Sequence, residues 1–376
     1  VATSRKTAMD IVDKIIFKLI DSGEPHVTCA AASQLGLSRQ AVSARIRRME
    51  GEQLLSAHGR GRGRSYSLLP ILSVRKSYKR EGLDEFHVWR ESVSPLLTDL
   101  PKNVLDIWNY GVTEMVNNAV DHSEGTDVVV RIQRTALAVT VKVSDNGEGI
   151  FHRLQRLLGL YDAREAILEL AKGKLTTDPT RHTGEGVFFS SRAFDRFWIL
   201  SRNLFFSHDS TREDWLIEGD DDAPGTMVAM ELANDSTRIL KEVFNQFAEP
   251  DDFSFAKTIV PVRLAQHEGE SLVSRSQAKR LTNRFDRFKT VVLDFSGVEE
   301  IGQSFADEIF RVFLSSHPSI DLLPIHMTDA VKNMVSRAYS NVKTDGEIVN
   351  FATNGAYSTA NWTVIPRQSG QSFVLT

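Results

Sequence analysis

The sequence predicts a multidomain chain of mixed α+β and α/β class, and three observations carry that expectation. The length of 376 residues leaves room for two or three hydrophobic cores. Charge is divided unevenly: residues 1–80 hold 15 Lys/Arg against 6 Asp/Glu, a balance of +9, whereas the remainder stands at −13. Apolar periodicity changes along the chain, from helical spacing near the start, through one long helix and several strands, to strand–helix alternation after about residue 249.

Composition bounds the class further. Apolar content of 41% with 25% charged residues suits a packed globular chain and excludes a disordered one. No apolar run approaches the ~20 residues a membrane helix needs, and a basic-then-apolar leader pattern is absent. The single cysteine, Cys29, excludes an internal disulfide, argues against a cysteine metal site and reads as a small buried helix residue. A reducing cytoplasmic setting with no membrane partner is expected.

In the basic segment, Ile11, Ile15, Ile16, Leu19 and Ile20 predict a helix from Thr7 to Asp21. A short helix from Thr28 to Leu35 follows, then Gly36 as a turn. Ser38 caps a third helix running to about Leu55. Small residues, a turn glycine and a polar helix face resemble a helix-turn-helix, with Arg39, Gln40, Ser43, Arg45 and Arg47 placed to face a major groove. The glycine–arginine run from His58 to Leu68 resembles the wing of a winged helix, with Arg60, Arg62 and Arg64 as phosphate or minor-groove contacts. Residues 1–75 are therefore read as a winged helix whose partner is double-stranded DNA.

Residues 74–106 read as a connector broken by Pro95 and Pro101, followed by a helix from Asn103 to His122. Val128–Ile132, Ala136–Ser144, Phe197–Arg202 and Met227–Leu232 predict strands of a mixed sheet with helices on one face. Three short segments in this region carry the chemistry. Glu114 and Asn118 lie four apart and share a helix face. The Asn amide oxygen is a hard ligand suited to Mg²⁺, and a Glu one turn earlier can polarise a water or hydroxyl. Asp145-Asn146-Gly147-Glu148-Gly149-Ile150 offers a carboxylate acceptor and glycines that let backbone approach a ligand. Gly184-Glu185-Gly186 opens a helix from Val187 to Asp195, whose free amides suit a phosphate.

The conjunction resembles the ATP site of the GHKL superfamily, which includes gyrase-type topoisomerases, mismatch-repair ATPases, histidine kinases and anti-sigma-factor serine kinases. The resemblance implies ATP and Mg²⁺ as cofactors and a GHKL α/β sandwich over 76–248. It makes Glu114 the base and Asn118 the metal ligand. Asp121, Asp145, Gly147, Gly149, Ile150, Lys174, Thr183, Gly184, Glu185 and Gly186 become nucleotide contacts. The segment from about 151 to 183 becomes a lid, in which Thr176, Thr177, Arg181 and His182 also come near phosphates. A conventional histidine kinase is not expected, because residues 84–106 are too short and proline-broken for a phosphoacceptor hairpin.

Beyond 249, strands at Thr258–Leu264, Thr290–Phe295 and Leu322–Met327 alternate with helices at Ser274–Phe288, Ser304–Ser315 and Ala330–Tyr339. Val291 to Val298 followed by Ile301 to Asp307 resembles a STAS-like α/β domain over 249–350, with 351–376 as a strand or tail. The resemblance implies a domain type that can act as an anti-sigma-factor antagonist, in which a serine just before the strand-following helix is phosphorylated by a GHKL serine kinase. Only Ser304 remains near that position, and it is read as a helix N-cap before it is read as a phosphoacceptor. The favoured function is an ATP-controlled DNA-binding transcriptional regulator with the STAS-like domain as intramolecular partner. The alternatives are a serine kinase acting on a STAS-type substrate and an ATPase scaffold in a stress or phage-defence switch. A protein partner at the STAS-like domain and a homodimer are both compatible with the sequence.

Overall fold

The computed structural model describes residues 10–59, 64–175, 184–209, 212–218, 224–249, 254–266 and 270–340. The first helices are α1 (Ile11–Asp21), α2 (Val27–Leu35) and α3 (Arg39–Gly51). Local chemistry sets their ends. The Asp10 carboxylate accepts from the Val12 amide, Gly36 closes α2 at φ 65°, and the Ser38 hydroxyl accepts from the Ala41 amide. The hairpin β1 (Leu55–His58) and β2 (Ser65–Leu68) follows, so Leu55 opens a strand and does not end α3. Gln53, at φ 57°, turns the chain between them. Ile16, Phe17, Val42, Ile46, Met49 and Leu55 form a core separate from the rest of the molecule. Cys29 is exposed, which corrects its expected burial: the helix turns its apolar side, Val27 and Ala31, inward instead.

The central layer is a seven-stranded sheet. Its strands are β3 (Leu72–Lys79), β4 (Asp127–Arg134), β5 (Ala138–Asp145), β6 (Arg196–Ser201), β7 (Leu204–Asp209), β8 (Arg212–Glu218) and β9 (Thr226–Ala233). Their order is β3-β4-β5-β9-β6-β7-β8, and every pairing is antiparallel, which corrects the expected mixed sheet. β3 was hidden in the segment read as a connector, and it runs through the expected boundary at 75/76. Val128, Val130, Ile132, Val139, Val141 and Val143 are buried on the face that packs against helices. Those helices are α4 (Glu85–Val88), α5 (Lys102–His122), α6 (Ile150–Leu158), α7 (Glu165–Lys172), α8 (Gly186–Ala193) and α9 (Leu240–Asn245). Gly111 lets α5 meet Phe194 at the end of α8; a Cβ there would collide with the ring.

The C-terminal layer is a parallel sheet of β10 (Lys257–Pro261), β11 (Thr290–Asp294) and β12 (Asp321–Ile325), in that order. Its helices are α10 (Arg275–Thr282), α11 (Gln303–Asp307), α12 (Leu314–Ser316) and α13 (Asp329–Ser340), with a π-helical stretch Glu308–Phe313 joining α11 to α12. Ser274 and Gln277 form a reciprocal capping box on α10. Ser304 is not a cap: Gly302 occupies that position, and Ser304 is the exposed second residue of α11. Among the described residues no helix is long and apolar enough to cross a membrane.

The central and C-terminal layers share one core. Phe188 of α8 lies 4.8 Å from Phe255, and Phe255 lies 5.5 Å from Phe288. Beside this apolar contact sits a buried ionic cluster. Lys172 is 0% exposed and donates to Glu169 Oε1 at 2.7 Å, and to the carbonyls of Arg280 and Asn283. Arg284 donates to the other Glu169 oxygen at 2.7 Å. Burial pushes the Lys172 amine down to about 8, with Glu169 opposing the shift.

Two outcomes follow from this cluster. Glu169→Gln keeps the shape but leaves two buried cations without their counter-ion, so chemical denaturation should show a loss of about 3–5 kcal/mol. The lysine gives a pH signature. Above pH 8 the folded state releases the Lys172 proton while the unfolded chain, near 10.5, still holds it. Stability therefore rises from about pH 8 towards pH 10 through this group. Lys172→Met should flatten that rise in parallel denaturation curves.

Candidate functional site

The site is assembled where the end of α5 meets the end of β5. Glu114 and Asn118 occupy adjacent turns of α5, both half-buried. The Asn118 side-chain nitrogen is buried with no hydrogen-bond partner. A buried amide left unsatisfied costs about 1–3 kcal/mol, so this group calls for an acceptor from a ligand or water. Asp121 and His122 close the helix, both half-buried. The Arg80 guanidinium secures its C-terminal end by donating to the carbonyls of Val120 at 2.9 Å and Gly125 at 2.6 Å.

Asp145 ends β5. Its Oδ1 accepts from the amides of Gly147 at 2.9 Å and Thr226 at 3.3 Å. Burial raises the Asp145 pKa, opposed by those two amides. The Asp145 amide also bonds to its own carboxylate. Gly147 lies against the Ser123 carbonyl so closely that any Cβ would collide with it, and Glu148 donates its amide to that same carbonyl at 3.0 Å. Gly149 has φ 94° and starts α6, where the Ile150 amide donates to Thr226 Oγ1 at 2.9 Å. The glycines therefore hold a turn that larger residues would push apart.

Gly186 begins α8 directly against Glu114: a Cβ at this position would overlap the carboxylate. Tyr110, one turn before Glu114, has its pKa raised by burial and, to a smaller extent, by the charges of Glu114 and Glu185. Gly184, at φ 72°, accepts from the Leu175 amide at 3.1 Å. The three sequence segments thus meet in space, and Glu114, Asn118, Asp145, Gly147, Gly149, Ile150, Gly184, Glu185 and Gly186 belong to one neighbourhood. Sequence reading missed Thr226, Ser123 and Tyr110. Gly225 before an apolar strand was the signal for Thr226; nothing local marked the other two.

Lys174 contacts the C-terminal layer. Its amine donates to the Arg287 carbonyl at 2.8 Å and lies over the rings of Phe288 and Phe255, at 5.0 and 5.5 Å. The expected lid is likewise partly fixed, because α7 is buried from Ala166 to Lys172. Thr183, with Thr176, Thr177, Arg181 and His182, lies outside the described residues. A cavity of about 570 Å³ lined by Gly82, Leu83, Asp84, Phe86, His87 and Arg90 contains none of the site residues.

Residues 109–193, from within α5 to the end of α8, match the family model described as Histidine kinase-, DNA gyrase B-, and HSP90-like ATPase. That span contains all three segments. The chain carries a GHKL-type ATPase domain. Residues 277–332, from α10 into α13, match the STAS-like domain of unknown function (DUF4325). No curated protein matches the chain. The GHKL family implies ATP binding, usually with Mg²⁺. Two observations fit such a ligand: the Asn118 side-chain nitrogen is a buried donor without an acceptor, and Asp145 offers a carboxylate acceptor.

On the N-terminal side, Arg39, Gln40 and Arg47 are exposed and Ser43 is half-buried between them on α3. Arg45 does not join them. Its guanidinium pairs with Asp10 and with Asp13 at 2.8 Å, because Arg45 faces α1 across the helix packing. Arg64 pairs with Glu50 at 2.5 Å and lies over Tyr66, tying the strand to α3. Arg60 and Arg62 lie outside the described residues.

Asn118→Ala in the GHKL domain should abolish Mg²⁺-dependent nucleotide binding, and Asp145→Ala should weaken binding at least tenfold. Calorimetric titration with ATP, with and without Mg²⁺, measures both; equal affinities in parent and variants would remove this placement.

Proposed function

We propose that the protein is an ATP-controlled DNA-binding regulator in which the STAS-like domain serves as intramolecular partner to the GHKL domain. The nucleotide half is supported by the convergence of Asn118, Asp145 and the flanking glycines on one neighbourhood. In this reading Asp145 Oδ2 accepts from the adenine amino group, and Asn118 supplies an amide oxygen to Mg²⁺. Bound Mg²⁺ would neutralise phosphate charge. Glu114 draws a proton from a water or hydroxyl, and the N-terminal amides of α8 beside it favour a phosphate.

The DNA half rests on α3. Arg39, Ser43 and Arg47 recur every four residues, with Gln40 beside them, and the Arg and Gln side chains are exposed. Residues 1–75 would then act as a winged helix-turn-helix reading the major groove.

The exposure of Ser304 favours a second reading, in which the GHKL domain phosphorylates a STAS-type serine. Atoms balance simply in that case: the serine oxygen bonds phosphorus, its proton passes to Glu114 and ADP leaves.

Glu114→Ala should retain nucleotide affinity and reduce turnover by at least a hundredfold, as for a group acting only in the transition state. Incubation with γ-labelled ATP separates the readings. Label in free phosphate supports the ATPase, and label in protein that is lost in Ser304→Ala supports the kinase. For the DNA half, Arg39→Gln with Arg47→Gln should lower affinity for all duplexes, and Gln40→Ala should relax sequence preference. A non-hydrolysable ATP analogue should shift the anisotropy curve; coincident curves would eliminate the switch.

A further inference from the structure

The face of the central sheet opposite α5 carries a charge pattern that the nucleotide site does not use. Arg75 on β3 pairs in register with Arg131 on β4, and Arg131 pairs with Lys142 on β5. Directly paired residues point to the same side of an antiparallel sheet, with Cα atoms about 4.5–5.5 Å apart. Three cations therefore stand in one row across three adjacent strands. Arg75 and Arg131 are exposed and Lys142 is half-buried. None of the three has a hydrogen bond or ion pair among the described residues.

Like charges placed opposite one another destabilise a sheet. Protection of an exposed edge accounts for Arg75 alone, because β3 is the edge strand whereas β4 and β5 are interior. Other described charges on this face are paired. Arg196 holds Glu231 at 3.0 Å and Asp209 at 3.6 Å, and Lys79 holds Asp127 at 2.7 Å. The row is thus a local excess of unneutralised positive charge that an external anion would relieve.

Its position suggests which anion. The next row along the sheet, Gln133–Thr140–Glu231–Arg196, lies two residues away, about 7 Å. From that row Arg196 reaches Asp21 at the end of α1, at 3.4 Å. The β4–β5 turn residues Ala136 and Leu137 pack against the core of the N-terminal module, and Lys14 pairs with Asp235 just beyond β9. The cations therefore begin beside the point where the basic module is anchored.

We propose that Arg75, Arg131 and Lys142 form a second phosphate-binding surface, which takes the backbone of duplex DNA flanking the segment held by the N-terminal module. The choice of duplex DNA rests on the DNA-binding reading given above; the unpaired charge row does not. The surface contributes affinity and salt dependence without base specificity.

The test uses the full chain. Anisotropy titrations over a range of salt, with a labelled duplex of about 40 bp, compare the parent with R75Q/R131Q/K142Q and with R39Q/R47Q. The sheet triple should lower affinity at least tenfold and reduce the slope of log K against log salt by about 2–3, near 0.9 per lost phosphate contact. It should melt no lower than the parent, since repulsion is removed. R75K/R131K, which keeps the charge, should retain the parental slope. An unchanged slope in the triple, with binding lost in R39Q/R47Q, overturns the sheet surface and leaves the DNA reading standing. The converse keeps the sheet surface and removes the role of α3. No binding of duplex by the parent at low salt overturns both. Equal, triple-sensitive binding of single-stranded RNA or polyglutamate would overturn the assignment to duplex DNA.

Discussion

The carboxylate of Glu169 holds the molecule's two larger domains in one arrangement. It lies within the shared core and receives Lys172 from its own helix and Arg284 from the C-terminal layer. A buried charge pair is tolerable only when each remaining donor and acceptor is engaged. Here the Lys172 amine also finds the Arg280 and Asn283 carbonyls, and the Thr258 hydroxyl donates to the Lys172 carbonyl. Glu165 extends the contact by pairing with Arg280 at 3.0 Å. Ionic geometry of this kind contributes less to net stability than to register: α7 cannot slide along α10 without stranding a charge.

That constraint reaches the nucleotide site through a short stretch of chain. Arg284 and Arg287 hold the carbonyls of Gly173 and Lys174, and the next residue, Leu175, is bonded back to Gly184. Gly184 leads into α8, whose first residue touches Glu114 and whose Phe188 enters the aromatic contact with Phe255. Leu175 and Gly184 are thus bonded to each other and adjoin elements that pack on the STAS-like domain.

The N-terminal module is joined more lightly. It has its own core, and its links to the GHKL domain are ion pairs at or near the surface and the packing of one β-turn. Surface pairs contribute up to about 1 kcal/mol each. The module is therefore the part whose orientation a modest free-energy difference can alter, whereas the GHKL and STAS-like domains share one hydrophobic core.

Much of this was legible in the residues. The Glu114–Asn118 spacing fixed a shared helix face, glycine at 147, 149 and 186 marked close backbone approaches, and Ser38 marked a cap, because each depends on local stereochemistry. The strands with clean apolar alternation, β4, β5, β6 and β9, were also readable. β3, β7 and β8 were not, because their mixed residues become strands only through hydrogen bonds to neighbours distant in sequence. The fates of Lys174 and Arg45 were equally hidden. A cation's sequence context does not say which carbonyl or carboxylate the fold will bring to it, and here Arg287 and Asp13 arrived from other elements. The sequence alone determined the site groups that sit in local motifs, Glu114, Asn118, Asp145 and the glycines, whereas Thr226 and Ser123 joined them only through tertiary contacts. The tertiary structure decided which of the chain's charges stay free, because pairing is settled by contacts between residues far apart along the chain.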